Sequence, residues 1–219
     1  MKEMHITSHS TLLLQARHKL HLLLLLLDKS NLITGLGTLS RVPFLCYNSI
    51  SYKVIMTPEE KYRDLYEQMY DLCDEQGWGD PFSYARSREI YMAGLLGHKV
   101  ADDYSGEDAI DEDGGCEYKS TIGKSVNGTY NGISVQDDWE DQARYIIEDK
   151  IGKYENHYYA RFDGGRIAEV WKLDANNVLK ILLPKIKKQF NEGTSHKKDP
   201  RIGVSISTKQ IKEYGTRIR

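Results

Sequence analysis

Residues 106–121, GEDAIDEDGGCEYKST, hold the tightest local constraint in this 219-residue chain. An Asp-Gly dipeptide between two short strand-like runs folds the chain back on itself. The expected hairpin rises over residues 108–111, turns at Asp113-Gly114 and returns over residues 116–122. A two-residue loop there sets Asp108 opposite Lys119 and Ile110 opposite Glu117. Paired residues share a sheet face, as do residues two apart on one strand, so Asp108, Glu117 and Lys119 all point to one side. Any even-length loop preserves that result, and a slip of one residue destroys it.

Six acids lie between Glu107 and Glu117. Asp108 and Glu117 offer hard carboxylate oxygens of the kind that hold Mg²⁺. A cation so held polarises a phosphate and lowers the pKa of its water. Lys119 can orient or deprotonate that water and offset developing charge. Asp111, Glu112 and Asp113 fall at the turn and are expected to be solvated. The competing reading is a charged, exposed hairpin with no chemistry. A calcium loop fails on spacing, since a central Gly114 puts Ala109 and Ser120 at the terminal ligand positions. A phosphate loop fails too, because Gly123-Lys124-Ser125 has Tyr118 where the earlier glycine belongs.

The rest of the chain predicts an α/β domain over residues 56–219 with a mostly antiparallel or mixed sheet. Thr57, Pro58 and Glu60 spell a helix start with a capping box, and Gly77 ends that helix. A second helix is expected over 83–96, and Glu89 on it reads as a solvated acid, with a third carboxylate of the site as the alternative. A short strand is expected over 100–104, and a strand or long loop over 124–135. A helix over 138–153 precedes a second hairpin over 157–173, closed by Asp163-Gly164-Gly165. A helix over 177–190, bent or stopped near Pro184, precedes a strand over 202–207 and a short helix over 208–214. The fifteen tyrosines are expected mostly at the core edge with wet hydroxyls, and the histidines show no ligand spacing.

Residues 1–55 differ in composition. They carry six consecutive leucines, Leu22 to Leu27, a run far below the roughly 20 residues a bilayer span needs. They read as an extension that is disordered or not translated. Three scattered cysteines, Cys46, Cys73 and Cys116, give neither a disulfide framework nor zinc spacing. That usage predicts a reducing compartment, the cytoplasm, and the short leucine run predicts no membrane partner. Net charge is only -2, yet residues 178–219 hold eleven basic residues against three acidic ones. A basic end beside an acidic centre suits a polyanion held against metal-binding carboxylates.

With those residues in view, the chain resembles the PD-(D/E)xK nucleases, and within them the PvuII-like type II restriction endonucleases. DAIDEDGGCEYKS resembles their catalytic hairpin. HYYARFDGGRIAEVWKL, residues 157–173, is similar to the strand pair that follows, and DPRIGVSISTKQIKEYGTRI, residues 199–218, to the closing strand and helix. The resemblance implies a restriction-endonuclease-like mixed β-sheet core flanked by helices. It implies that Asp108 and Glu117 ligate Mg²⁺ and that Lys119 is the catalytic lysine. It further implies a homodimer, built partly by the first helix after Met56, clasping double-stranded DNA at a palindromic site and cutting it bluntly. A cognate DNA methyltransferase acting on the same site is the implied partner gene.

The chain departs from that pattern in three places. The Asp-to-Glu spacing is one residue shorter, no histidine occurs in residues 124–136, and Lys198-Asp199 replaces an asparagine pair. The family's target sequence is therefore not carried over. Candidate DNA contacts are Asn127, Thr129, Asn131 and Ser134 on one flank and Lys198, Arg201, Ser205 and Ser207 on the other. The expected activity is a Mg²⁺-dependent, site-specific deoxyribonuclease. The alternatives are a repair or structure-directed nuclease of the same fold, or a DNA-binding protein without cleavage.

Overall fold

The structure is a computed structural model that describes residues 56–102, 106–193 and 201–219. The leader, Tyr104 and Lys198 lie outside the described residues.

Helix α1 (Pro58–Gln76) starts where the sequence places it. The Thr57 hydroxyl accepts from the Glu60 N–H at 3.2 Å and the Glu60 carboxylate accepts from the Thr57 N–H at 2.9 Å. Gly77 ends the helix at φ +71°, a left-handed conformation that glycine adopts without a Cβ clash. Only Cys73 of α1 is buried, so Tyr62, Leu65, Met69 and Leu72, all at helical spacing, stay exposed.

Helix α2 (Arg86–Leu96) begins three residues later than expected. Tyr84 just before it takes φ +49°, which no helix continues. Strand β1 (Lys99–Val100) pairs antiparallel with β2 (Ala109–Asp111), which pairs with β3 (Gly114–Thr121). Strand β4 (Gly128–Ile133) leaves this sheet and forms a separate antiparallel ribbon with β7 (Ile202–Ile206). Helix α3 (Trp139–Arg144) widens into a π-helical turn over Tyr145–Lys150. Strand β5 (Asn156–Asp163) then runs parallel to β3 and antiparallel to β6 (Arg166–Asp174). Helix α4 (Ala175–Glu192) continues past Pro184 instead of stopping there. Helix α5 (Thr208–Tyr214) and β8 (Thr216–Arg217) close the chain. The result is a mixed six-stranded sheet, β1-β2-β3-β5-β6-β8, with flanking helices.

Strand β5 is buried on both faces, as a central strand must be. Tyr159 points into a core built from β4, β7 and α4, with Ile133, Leu182, Ile202 and Ile206. Its neighbours Tyr158, Ala160 and Phe162 point into a second core with Met92 and Ala93 of α2. The period-two alternation thus joins two cores through one strand.

The β2–β3 hairpin differs from expectation at its turn. Asp111 pairs with Gly114 and Ala109 with Cys116, so the loop is Glu112-Asp113 and the register is slid by two residues. The physical reason is Gly114, which adopts φ +125° and re-enters the strand, while Glu112 and Asp113 keep negative φ. Asp108 therefore lies opposite Glu117 rather than Lys119. The loop remains even in length, so the common face survives.

A charged cleft as the candidate active site

Asp108 sits one residue before β2. Its N–H donates to the Cys116 carbonyl at 3.0 Å, and its carboxylate accepts the Tyr118 N–H at 2.7 Å. Alternation along β3 sends Cys116 and Tyr118 into the α2-side core and leaves Glu117 and Lys119 on the opposite face. There the Lys119 ammonium donates to Glu117 Oε1 in an ion pair. Asp108, Glu117 and Lys119 together line a cleft of about 380 Å³. The three expected active-site residues are thus brought together.

The electrostatics of this cluster are unbalanced. Burial, with the Glu117 and Glu89 carboxylates nearby, pushes the Asp108 carboxyl up to about 7. Burial pulls Lys119 down, but the Glu117 and Asp108 carboxylates outweigh it and hold the ammonium above its ordinary value. Lys119 is therefore a cation at neutral pH. Glu89, expected to be solvated, is instead a half-buried member of the cluster. Desolvation raises its carboxyl against the opposing pull of Arg86, whose guanidinium lies 3.5 Å away. Arg86 is itself only 1% exposed and is anchored on the Trp78 carbonyl at 2.7 Å.

Asp108 and Glu117 suit a hard divalent cation. Each holds one oxygen in a hydrogen bond or ion pair, and both residues line the cleft. Among the described residues no three His, Cys, Asp or Glu side chains converge as a complete metal cage. Mg²⁺ commonly takes only one or two carboxylates and fills the rest of its shell with water and substrate oxygens.

Of the turn acids, Glu112 and Asp113 are exposed as expected, whereas Asp111 is half-buried and serves as an anchor. The Asp111 carboxylate accepts from Asn156 Nδ2 and from the Tyr158 hydroxyl, both at 2.8 Å. Asn156 also donates to Asp113 at 2.9 Å. Only Glu112 of the three is left to solvent without such a bond in the turn. Five tyrosines around this place depart from the expected wet core edge, while the other described tyrosines are exposed or half-buried. Tyr118, Tyr130, Tyr154, Tyr158 and Tyr159 are all buried and their hydroxyls are bonded within the protein. Alternation within a strand covered on both faces is the signal that finds them.

His157, given no role by its spacing, is completely buried behind the cleft. Its Nε2 lies 3.2 Å from the Ile151 carbonyl, and its Nδ1 lies 2.9 Å from the Tyr130 hydroxyl. Burial, helped by the Lys119 charge, pushes the imidazole down to about 3, so it is neutral. A carbonyl can only accept, which places the single proton on Nε2 and leaves Nδ1 to accept from Tyr130. Tyr130 in turn accepts from the Tyr159 hydroxyl at 2.6 Å.

The expected DNA contacts divide. Thr129, Asn131 and Ser205 share the exposed face of the β4–β7 ribbon, where the Thr129 and Ser205 hydroxyls meet at 3.1 Å. Asn131 also lines the cleft, and the Arg201 guanidinium lies over Gly132 of the same ribbon. Asn127 is exposed just before β4. Ser134 is exposed, and its carbonyl accepts from Gln142. Ser207 has a local structural role instead, because its hydroxyl caps α5 by accepting the Gln210 N–H. From the π-helical turn, Tyr145, Asp149 and Lys150 complete the opposite wall of the cleft.

No helix among the described residues is long and apolar enough to cross a membrane. Neither a scan against protein-family models nor a search of curated proteins finds a match to this chain.

Proposed function

We propose that this protein is a Mg²⁺-dependent endonuclease that hydrolyses phosphodiester bonds in double-stranded DNA at specific sites. One observation carries the reading: Asp108, Glu117 and Lys119 meet on one face at a cleft whose rim is a ribbon of exposed hydroxyl and amide side chains. Clustered acids repel phosphate, so a protein that only binds DNA gains nothing from them. A nuclease needs them to hold a cation. When bound, Mg²⁺ supplies Lewis-acid polarisation of the scissile phosphate and a more acidic water.

The chain's own residues do the remaining work. Asp108 and Glu117 hold the cation through their carboxylate oxygens. Lys119, already charged, orients the attacking water and offsets the negative charge that develops on the phosphate. Asn131, Thr129, Ser205 and Arg201 fit the duplex, with amide and hydroxyl groups reaching base edges and the guanidinium taking phosphate. The exposed apolar stripe of α1 is the surface on which two copies would pair, giving the two-fold symmetry that matches a palindromic, bluntly cut site. A type II restriction enzyme of this kind works beside a methyltransferase that protects the same site, in the cytoplasm.

The test is to incubate the protein with long unmodified duplex DNA, with Mg²⁺ or with EDTA. Discrete Mg²⁺-dependent fragments are expected, and sequencing their ends gives both the site and the stagger. A smear points to a structure-directed or non-specific nuclease. Intact DNA with retarded mobility points to binding without cleavage.

A further inference from the structure

Lys119 has a second neighbour besides Glu117. Its ammonium lies 5.0 Å from the centre of the Tyr130 ring, on the negative face of the π-system. Tyr130 comes from β4, outside the sheet that carries Lys119, so the contact joins the ribbon to the hairpin.

The ring has no freedom to leave. Tyr159 donates to the Tyr130 hydroxyl, which donates to His157 Nδ1, and His157 donates from Nε2 to the Ile151 carbonyl. All three side chains are buried, and no buried side-chain nitrogen or oxygen among the described residues lacks a partner. A chain of fully satisfied buried hydrogen bonds holds its members in one arrangement. It also ties three elements together: β4 through Tyr130, β5 through His157 and Tyr159, and the end of the π-helical turn through Ile151. Gly128 admits this packing, since a Cβ there would lie 2.3 Å from the Tyr159 ring.

We propose that Tyr130 is a positioning residue whose ring face holds the Lys119 ammonium, and that the Tyr159–Tyr130–His157 chain locks the ring in place. The proposal rests on the nuclease reading for its kinetic consequence but not for its geometry. Glu117 alone is a poor guide for Lys119, because a carboxylate that takes up a cation changes its bonds. The ring makes no such change. It also uses no hydrogen-bond acceptor, which leaves the ammonium free to donate to an oxygen in the cleft.

Two measurements separate this idea from the nuclease reading. In the full-length protein carrying ¹³C-labelled lysine, the ε-methylene protons of Lys119, assigned by their loss in Lys119→Met, are expected upfield of the other lysines. Tyr130→Leu removes that shift, and Tyr130→Phe, which keeps the ring but loses the hydrogen bonds that lock it, reduces it. An unshifted Lys119 in the unmutated protein overturns the proposal whether or not the variants fold. Single-turnover cleavage of duplex DNA with Mg²⁺ is the second measurement. Tyr130→Leu is expected to slow it roughly thirtyfold, the size of a desolvated cation–π contact, and Tyr130→Phe by no more than about threefold. DNA affinity measured with Ca²⁺ should be the same in both. Equal losses in the two variants would mean the hydroxyl chain acts without the ring and would overturn it. A protein that cuts nothing removes the nuclease reading and leaves the resonance of Lys119 to decide the geometry.

Discussion

Two hairpins in this molecule are built from similar parts and do opposite things with charge. The β2–β3 hairpin turns at Glu112-Asp113 and brings Asp108 beside Glu117; the β5–β6 hairpin turns at Gly164-Gly165 and carries Arg161 opposite Glu169. In the second, Arg161 and Glu169 answer each other. Arg161 donates to Glu169 at 3.0 Å and the Trp171 indole donates to the same carboxylate at 2.9 Å. The Trp171 bond, outweighing a smaller desolvation, holds Glu169 below its ordinary value, with Arg161 adding to it. In the first hairpin two acids share a desolvated space with a third, Glu89, and Asp108 is pushed up to about 7. One carboxylate is made comfortable by the fold and the other is not. A fold keeps such an imbalance where something absent from the free protein resolves it.

The largest expected effect breaks the comparison at its cations. Lys119→Ala should reduce Mg²⁺-dependent cleavage by roughly 10³-fold, the scale of losing a charge-stabilising group, with duplex affinity in Ca²⁺ nearly unchanged. Arg161→Ala, on the quiet hairpin, should leave cleavage within about threefold and lower Tm, because it strands a half-buried Glu169. Parallel single-turnover assays and thermal melts of the two variants decide it. Full activity in Lys119→Ala would remove the lysine from the chemistry.

Next in size is a difference of sign in stability. Asp108 rises from 3.8 in the unfolded chain to about 7 in the folded protein. Between those pH values the folded form holds a proton that the unfolded form has released, so metal-free stability falls as pH rises through that window. Asp108→Asn removes this slope. It should raise Tm at pH 8 by roughly 3–8 °C while abolishing cleavage. Mg²⁺ should stabilise the unmutated protein at pH 8 and not the variant. Glu169 behaves in reverse. Its carboxyl is lowered from 4.5, so its contribution is complete above that value and disappears as pH falls through the lower folded value. Glu169→Gln should therefore lower Tm at pH 8. Melts of both variants from pH 4 to 8 test the two signs together.

Much of this was legible in the sequence, and the failures share a cause. The capping box at Thr57, the paired glycines at 164 and 165, and the common face of Asp108, Glu117 and Lys119 all depend on neighbours within a few residues. Local chemistry decided them. The turn of the catalytic hairpin did not follow, because Asp113-Gly114 is compatible with two even registers. Asn156, 43 residues on from Asp113, clamps both Asp111 and Asp113 in the register observed. The surroundings of Glu89 and His157 are set by distant elements in the same way. Glu89 reads as solvated until Arg86 and the hairpin are packed against it. His157 has no spacing signal, and its meaning comes from Tyr130 and Ile151 in other elements. Asn127, Thr129, Asn131, Ser134, Ser205 and Ser207 look alike in sequence; the ribbon groups some on one face and gives Ser207 to a helix cap.

The smallest expected effect concerns the turns themselves. Gly164 sits at φ +54° and Gly114 at φ +125°, and a Cβ at either would meet nothing within 4 Å. Any cost of substitution is therefore dihedral, not steric. The Gly164 value lies in the left-handed well that asparagine tolerates, whereas the Gly114 value lies well beyond it. Gly164→Asn should leave Tm within about 2 °C, while Gly114→Asn should lose roughly 1–3 kcal/mol. The second variant has a further consequence that the first lacks. Gly114 fixes the register that sets Asp108 opposite Glu117, so relief of its strain through a shifted turn must also move the carboxylates relative to each other. Gly114→Asn should then lose Mg²⁺-dependent cleavage out of proportion to its loss in Tm, and Gly164→Asn should lose neither. If both variants keep full cleavage at a temperature where both are folded, the turn does not set the spacing of the acids and the clamp by Asn156 alone does.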